Sequence, residues 1–247
     1  MKKINWEIYM GLSLIIMSAS FYLLEYFLFR DIHHILVFLI EDIAFLFIEV
    51  LLVTLIIHKV LDSREKKERM EKLNMVIGIF YSEIGTELLN IIANMDVEIV
   101  RSQSKFKITD HSSEKEFKNM CTILKEHKSQ FNHKEIDWEK LKLLLENKKD
   151  FLLRLLENNN LMEHESFTDL LWAVFHLAEE LNYRDALVGL PEEDYKHLTG
   201  DMTRVYKGLK NQWVSYIDHL RESYPYLFSL ACRTNPFDFN SSPIVKK

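Results

Sequence analysis

The sequence predicts an all-α protein: a two-span transmembrane helical hairpin that continues into a cytoplasmic α-helical domain and assembles as a homo-oligomer. Six Gly and four Pro in 247 residues leave room for few tight turns. Apolar residues crowd into the first sixty positions as two long runs. Beyond them apolar residues recur every three or four positions, and no strand with period-two alternation stands out.

The second run, Ile35 to Ile57, constrains function most. About 23 residues at ~1.5 Å rise make a helix of roughly 34 Å, enough to cross the hydrocarbon core of a bilayer. Glu41, Asp42 and Glu49 lie inside it. Near the helix centre each carboxylate costs up to ~3 kcal/mol, while each Leu, Ile, Phe or Val returns about 0.3–0.6. The apolar side chains therefore only just offset the acids, which are expected to be protonated, paired, or turned toward protein or water. Asp42 and Glu49, seven residues apart, fall within ~20° of each other around the helix, and Glu41 points about 100° away. Phe38, Asp42, Leu46, Glu49 and Val53 thus form a seam. A lone hairpin has no interior to hide it, which points to a homo-oligomer with the seam at a central axis or against a neighbouring subunit.

The first run, Glu7 to Phe29, follows Lys2 and Lys3, with Trp6 and Tyr9 at an expected interface. Lys2-Lys3 and Ser18-Ala19-Ser20 also fit a signal peptide, but apolar sequence continues past that small-residue triplet, so a retained anchor is expected. Only Arg30 to His34 separates the runs, which implies a tight antiparallel hairpin. Lys59, Arg64, Lys66, Lys67, Arg69 and Lys72 follow the second span, and with Lys2 and Lys3 they place both termini in the cytoplasm. Glu25 then lies at a depth similar to Glu41 and Asp42, with Arg30, His33 and His34 in the outer turn as candidate partners.

From Lys59 to about Val100 the pattern predicts one long helix. Glu65–Arg69 and Glu68–Lys72 are favourable i,i+4 pairs. Apolar residues alternate three and four apart at Met70, Leu73, Ile77, Phe80 and Ile84, then continue at Leu88, Ile91 and Met95 after a one-residue shift, a coiled-coil-like spacing with a stutter. Gly78, Ser82 and Gly85 make a second stripe of small residues, a candidate oligomer contact. Two readings stand for this segment: an amphipathic helix packed on its own domain, or a stalk between subunits.

Arg101 to Glu114 is polar and turn-rich, hence a loop. Helices are expected over Ser113–Asn132, Ile136–Asn158, Ser166–Tyr183, Pro191–Ser223 with a break near Gly200, and a short one between Pro225 and Cys232. Ser166 is the expected N-cap of its helix, Pro191 suits a helix start, and Asn158-Asn159-Asn160 suits a stop. The chain divides into a hairpin (1–61), a linker helix or stalk (62–100), a cytoplasmic helical domain (101–234) and a flexible tail (235–247).

Chemical motifs are scarce. No phosphate-binding Gly loop, HExxH, CxxC or nucleophile elbow occurs, so no cofactor and no enzyme activity is expected. Cys121 and Cys232 lack metal-ligand spacing, and a net charge of −6 gives no support to nucleic-acid binding. His176 has Glu179 and Glu180 nearby and Asp169 seven residues earlier. That falls short of a metal site, and a hydrogen-bonded histidine near surface acids is expected. His111, His127, His133, His164, His197 and His219 are expected at the surface. A two-span hairpin with a helical domain is similar in outline to several small channel and membrane-effector groups, but this is architecture without a motif and transfers no residue. The functional expectation is a homo-oligomeric cation channel or ion-coupled membrane protein, with the lipid bilayer, copies of itself and cations as partners. The alternative is a membrane-anchored scaffold or signalling adaptor whose acids only hold the assembly together; a pore-forming effector shares the channel chemistry.

Overall fold

The computed structural model describes residues 6–109, 112–158, 161 and 164–245, and with so few helix breakers these run as ten α-helices joined mostly by short connections. Lys2, Lys3, His111, Asn159 and Asn160 lie outside the described residues. Among the described residues there is no strand, only an isolated bridge between Asp96 and Phe131. The fold is all-α.

The chain forms two units, residues 1–66 and 67–247. In the first, α1 (Trp6–Phe29) is joined to α2 (Ile32–Phe80) by Arg30 and Asp31 alone. Arg30 takes a left-handed φ of 52° and donates its N–H to Tyr26 O at 2.9 Å, closing α1. Asp31 Oδ1 accepts the His34 N–H at 3.1 Å, so the shortened turn also caps α2. The two helices do not pack along one another, and up to residue 66 most of their Leu, Ile, Val and Phe side chains stay exposed. That departs from the tight antiparallel pair expected from the short turn. Among the described residues one helix, Ile8–Phe29, is long and apolar enough by length and composition to cross a membrane.

The second unit begins within α2. Leu73, Ile77 and Phe80 are buried, and the stutter seen in the sequence becomes a π-helical turn, Tyr81–Gly85. A π turn inserts one extra residue, so the apolar face resumes in α3 (Thr86–Met95) with Leu88, Leu89, Ile91 and Ile92 still inward. This segment packs into its own domain. At Asp96 the chain turns extended and restarts as α4 (Val97–Arg101). The expected loop then carries a 3₁₀ turn, Gln103–Phe106, with Phe106 and Ile108 buried.

Helices α5 (Glu114–Glu126), α6 (Trp138–Asn147), α7 (Lys149–Leu156), α8 (Glu165–Asn182), α9 (Glu192–Ser223) and α10 (Pro225–Arg233) complete the unit. Ser113 and Glu116 form a reciprocal capping box at the start of α5. The N-cap of α8 is His164, whose Nδ1 accepts the Phe167 N–H at 3.2 Å. Ser166, expected in that role, accepts from Gln212 Nε2 at 2.8 Å instead. The expected break near Gly200 does not occur, because Leu198, Asp201, Met202 and Val205 bury the helix on both sides of it. α9 is the axis of the unit, packed by α3, α5, α8 and α10.

The beginning of the tail is not loose. Phe237 is fully buried, with its ring 5.2 Å from Trp213 and 6.0 Å from Phe106. Buried Asn235 donates Nδ2–H to Phe106 O at 2.7 Å, and Asn90 donates to Pro236 O at 2.9 Å. An aromatic anchor and two buried amide bonds outweigh the polar composition that suggested disorder.

Candidate functional site

The short turn of the first unit brings Glu25 and His34 to 4.0 Å, and His34 also lies against the Phe38 ring at 4.5 Å. Among the described residues, Arg30 and His33 make no ion pair with the acids. Glu41, Asp42 and Glu49 stand exposed on α2 without a side-chain hydrogen bond or ion pair among the described residues. One expected pairing thus forms, and the other three acids have no such partner among the described residues.

The small-residue stripe resolves differently. A Cβ at Gly78 would meet the Tyr216 ring edge at 3.3 Å, while one at Gly85 would meet Phe80 and Tyr81 at 2.7 and 2.8 Å. Both glycines therefore face neighbours in their own chain, because the π turn aligns residue 85 over 80 and 81. Ser82 is exposed and lines an open cleft of about 740 Å³ with Met75, Ile79, Tyr216, Tyr226 and Leu230. The signal for this cleft was a second spacing, Met75, Ile79, Ser82 and Thr86, beside the buried stripe.

A polar knot lies inside the second unit. Asp96, fully buried, accepts the Glu98 N–H at 3.2 Å, pairs with His127 Nε2 at 2.7 Å, and faces Gln130 N at 3.4 Å. Lys210 donates to His127 O at 3.0 Å and sits 4.6 Å from the Tyr206 ring centre. Burial pushes the Lys210 ammonium down to about 8, with the Asp96 charge opposing the fall. His127, expected at the surface, is thereby part of the interior. These contacts join the α3–α4 corner to α9, while the buried Tyr206 hydroxyl has no hydrogen-bond partner among the described residues.

Cys121 and Cys232 form no disulfide among the described residues, and burial pushes the Cys121 thiol up to about 11.

Among known proteins, residues 69–233 match a family model described as "Uncharacterized protein MJ1433, C-terminal helical domain", and residues 2–61 match one described as "MJ1433, N-terminal helical domain". The "Uncharacterized protein MJ1433" of Methanocaldococcus jannaschii is 46% identical over 243 residues, covering 98% of this chain and 97% of that protein. No solved structure matches. Matched across both helical domains and nearly its whole length, the chain belongs to the MJ1433 family.

Proposed function

We propose that the protein is a homo-oligomeric integral membrane protein in which the second apolar segment of α2 spans beside α1 and its acids line a cation path between subunits. The observation that carries this is the isolation of Glu41, Asp42 and Glu49 on an exposed apolar helix, without a side-chain partner among the described residues. In lipid such groups face protein or water, and copies of the same helix supply both around an axis. Rings of carboxylates would then concentrate cations at the axis.

The test uses the full chain in liposomes. Wild type is expected to pass monovalent cations. Asp42→Asn and Glu49→Gln keep side-chain size and are expected to cut flux several-fold or change selectivity with the oligomer intact. Flux unchanged in the double variant removes these acids from the path. An inserted oligomer that passes no ions favours the second reading, a membrane-anchored helical scaffold, for which the exposed apolar cleft beside Ser82 is the supporting feature.

Orientation has its own test. Cysteines placed at Arg30 or Ile32 are expected to be labelled from outside intact cells, and those at Lys66 or Ser241 are not. Background from Cys121 and Cys232 is low, because one thiol is raised to about 11 and the other is buried. External labelling at Ser241 would move the helical domain out of the cytoplasm.

A further inference from the structure

Helices α8 and α9 pack antiparallel, and each carries a histidine and an acid one turn apart. α8 presents His176 and Glu180; α9 presents His197 and Asp201. Because the helices run in opposite directions, the four groups close a ring in which nitrogen and oxygen alternate. His176 Nε2 lies 3.5 Å from Asp201 Oδ2 and 3.9 Å from Glu180 Oε1. His197 Nε2 lies 3.4 Å from Asp201 Oδ2 and 3.6 Å from Glu180 Oε2.

Hydrogen bonding does not explain this ring. Its edges exceed the ~2.7–3.2 Å of an N–H···O bond. Asp201 is 4% exposed, yet its Oδ2 has no hydrogen-bond partner. A buried carboxylate oxygen left without a partner is costly. Its other oxygen is satisfied, with Arg204 Nη1 donating to Oδ1 at 2.7 Å. The unpaired oxygen is thus aimed at the two imidazoles.

The spacing suits a cation. Ligands at ~2.0–2.2 Å from a tetrahedral ion stand roughly 3.3–3.5 Å apart. The shortest two edges match that separation, and the others exceed it by a few tenths of an ångström. As they stand, no three His, Cys, Asp or Glu side chains among the described residues are placed to hold a metal ion, so binding requires these four to close in. Both imidazoles are about half exposed, so small side-chain rotations draw them inward and an ion can enter from solvent. The carboxylates are held from outside the ring. Arg184 Nη1 donates to Glu180 Oε2 at 2.8 Å, and Asp194 clamps the same guanidinium with bonds of 2.8 and 2.7 Å. Such outer contacts orient ligands. Three carboxylates against two guanidiniums leave a net negative charge for the ion to meet.

We infer that His176, Glu180, His197 and Asp201 form a binding site for one borderline divalent cation of the Zn²⁺ class, which cross-links α8 to α9. Two imidazoles with carboxylate oxygens suit such ions, whereas Mg²⁺ and Ca²⁺ take all-oxygen shells. Asp169 and Glu179, beside His176 in the sequence, do not belong to the ring.

The test uses the full chain in detergent, without a polyhistidine tag and after treatment with chelator, and titrates Co²⁺ followed by Zn²⁺. The expected result is saturation near one Co²⁺ per chain with the visible absorption of four-coordinate Co²⁺. Zn²⁺ should displace it and raise the melting temperature. His176→Gln and His197→Gln should each weaken binding beyond the 10–100-fold typical of losing an outer contact. The control His33→Gln/His34→Gln should bind as wild type. Absence of saturable one-per-chain binding in wild type overturns the site whatever the variants do. Binding in which His176→Gln and His197→Gln match wild type, or in which the His33/His34 control loses it, assigns the ion elsewhere and overturns it equally.

Discussion

Gly85→Ala is expected to destabilise the helical domain by about 1–3 kcal/mol, while Gly78→Ala stays within about 1 kcal/mol of wild type. Both residues lie in helical backbone, where alanine alone gains up to about 1 kcal/mol over glycine. The difference is space. At Gly85 a methyl group would press on Phe80 at 2.7 Å and on Tyr81 at 2.8 Å. Neither ring is free to retreat. Tyr81 donates its hydroxyl to Leu209 O at 2.7 Å and stacks on Tyr216 at 5.3 Å, and Phe80 lies edge-on to Phe167 at 5.4 Å. At Gly78 the nearest atom is the Tyr216 hydroxyl oxygen at 3.3 Å, the outer end of a ring beside the open cleft. Urea unfolding followed by circular dichroism separates the two. If Gly85→Ala instead left unfolding unchanged and split an oligomer, the stripe would act between subunits, as its sequence spacing suggested.

The all-α class was legible because it follows from composition and period, which are local properties. The stutter at residues 84–88 was legible too, although its structural form, a π turn that keeps one face inward, depends on what that face packs against. The break at Asp96 was not. No Gly or Pro marks it, and its cause is the pull of His127 and Gln130, more than thirty residues away in the chain. Pro236 and Phe237 were misjudged for the same reason, since the anchoring partners Asn90, Phe106 and Trp213 lie elsewhere in the sequence. His176 stands out in the sequence by its acidic neighbours on one helix, while His197 and Asp201 on the next read simply as polar residues on an exposed helix face. An i,i+4 pair shows one side of a site, and only the antiparallel packing of α8 on α9 supplies the other. Glu41, Asp42 and Glu49 are the converse case, plain in the sequence and without a side-chain partner among the described residues.

Asp96→Ala is expected to cost about 3–5 kcal/mol, the range for breaking a buried charged network from one side. The substitution removes the acceptor for Glu98 N and for His127 Nε2 and leaves Lys210 without its compensating charge. The Lys210 ammonium adds a pH signature. Its folded pKa of about 8 lies below the ~10.4 of an unfolded lysine. Between these values the unfolded chain binds more protons, so this group makes stability rise with pH from roughly 8 to 10.4. Below pH ~8 the cost of the buried charge is fully present. Lys210→Met lacks the group, so the stability of wild type relative to it should climb across that window. In Asp96→Ala the attraction that holds the ammonium up is gone, and the climb should start at lower pH. Denaturant midpoints at half-unit pH steps measure both. A flat difference between wild type and Lys210→Met would remove the buried charge from the account, and an unshifted climb in Asp96→Ala would uncouple Lys210 from Asp96.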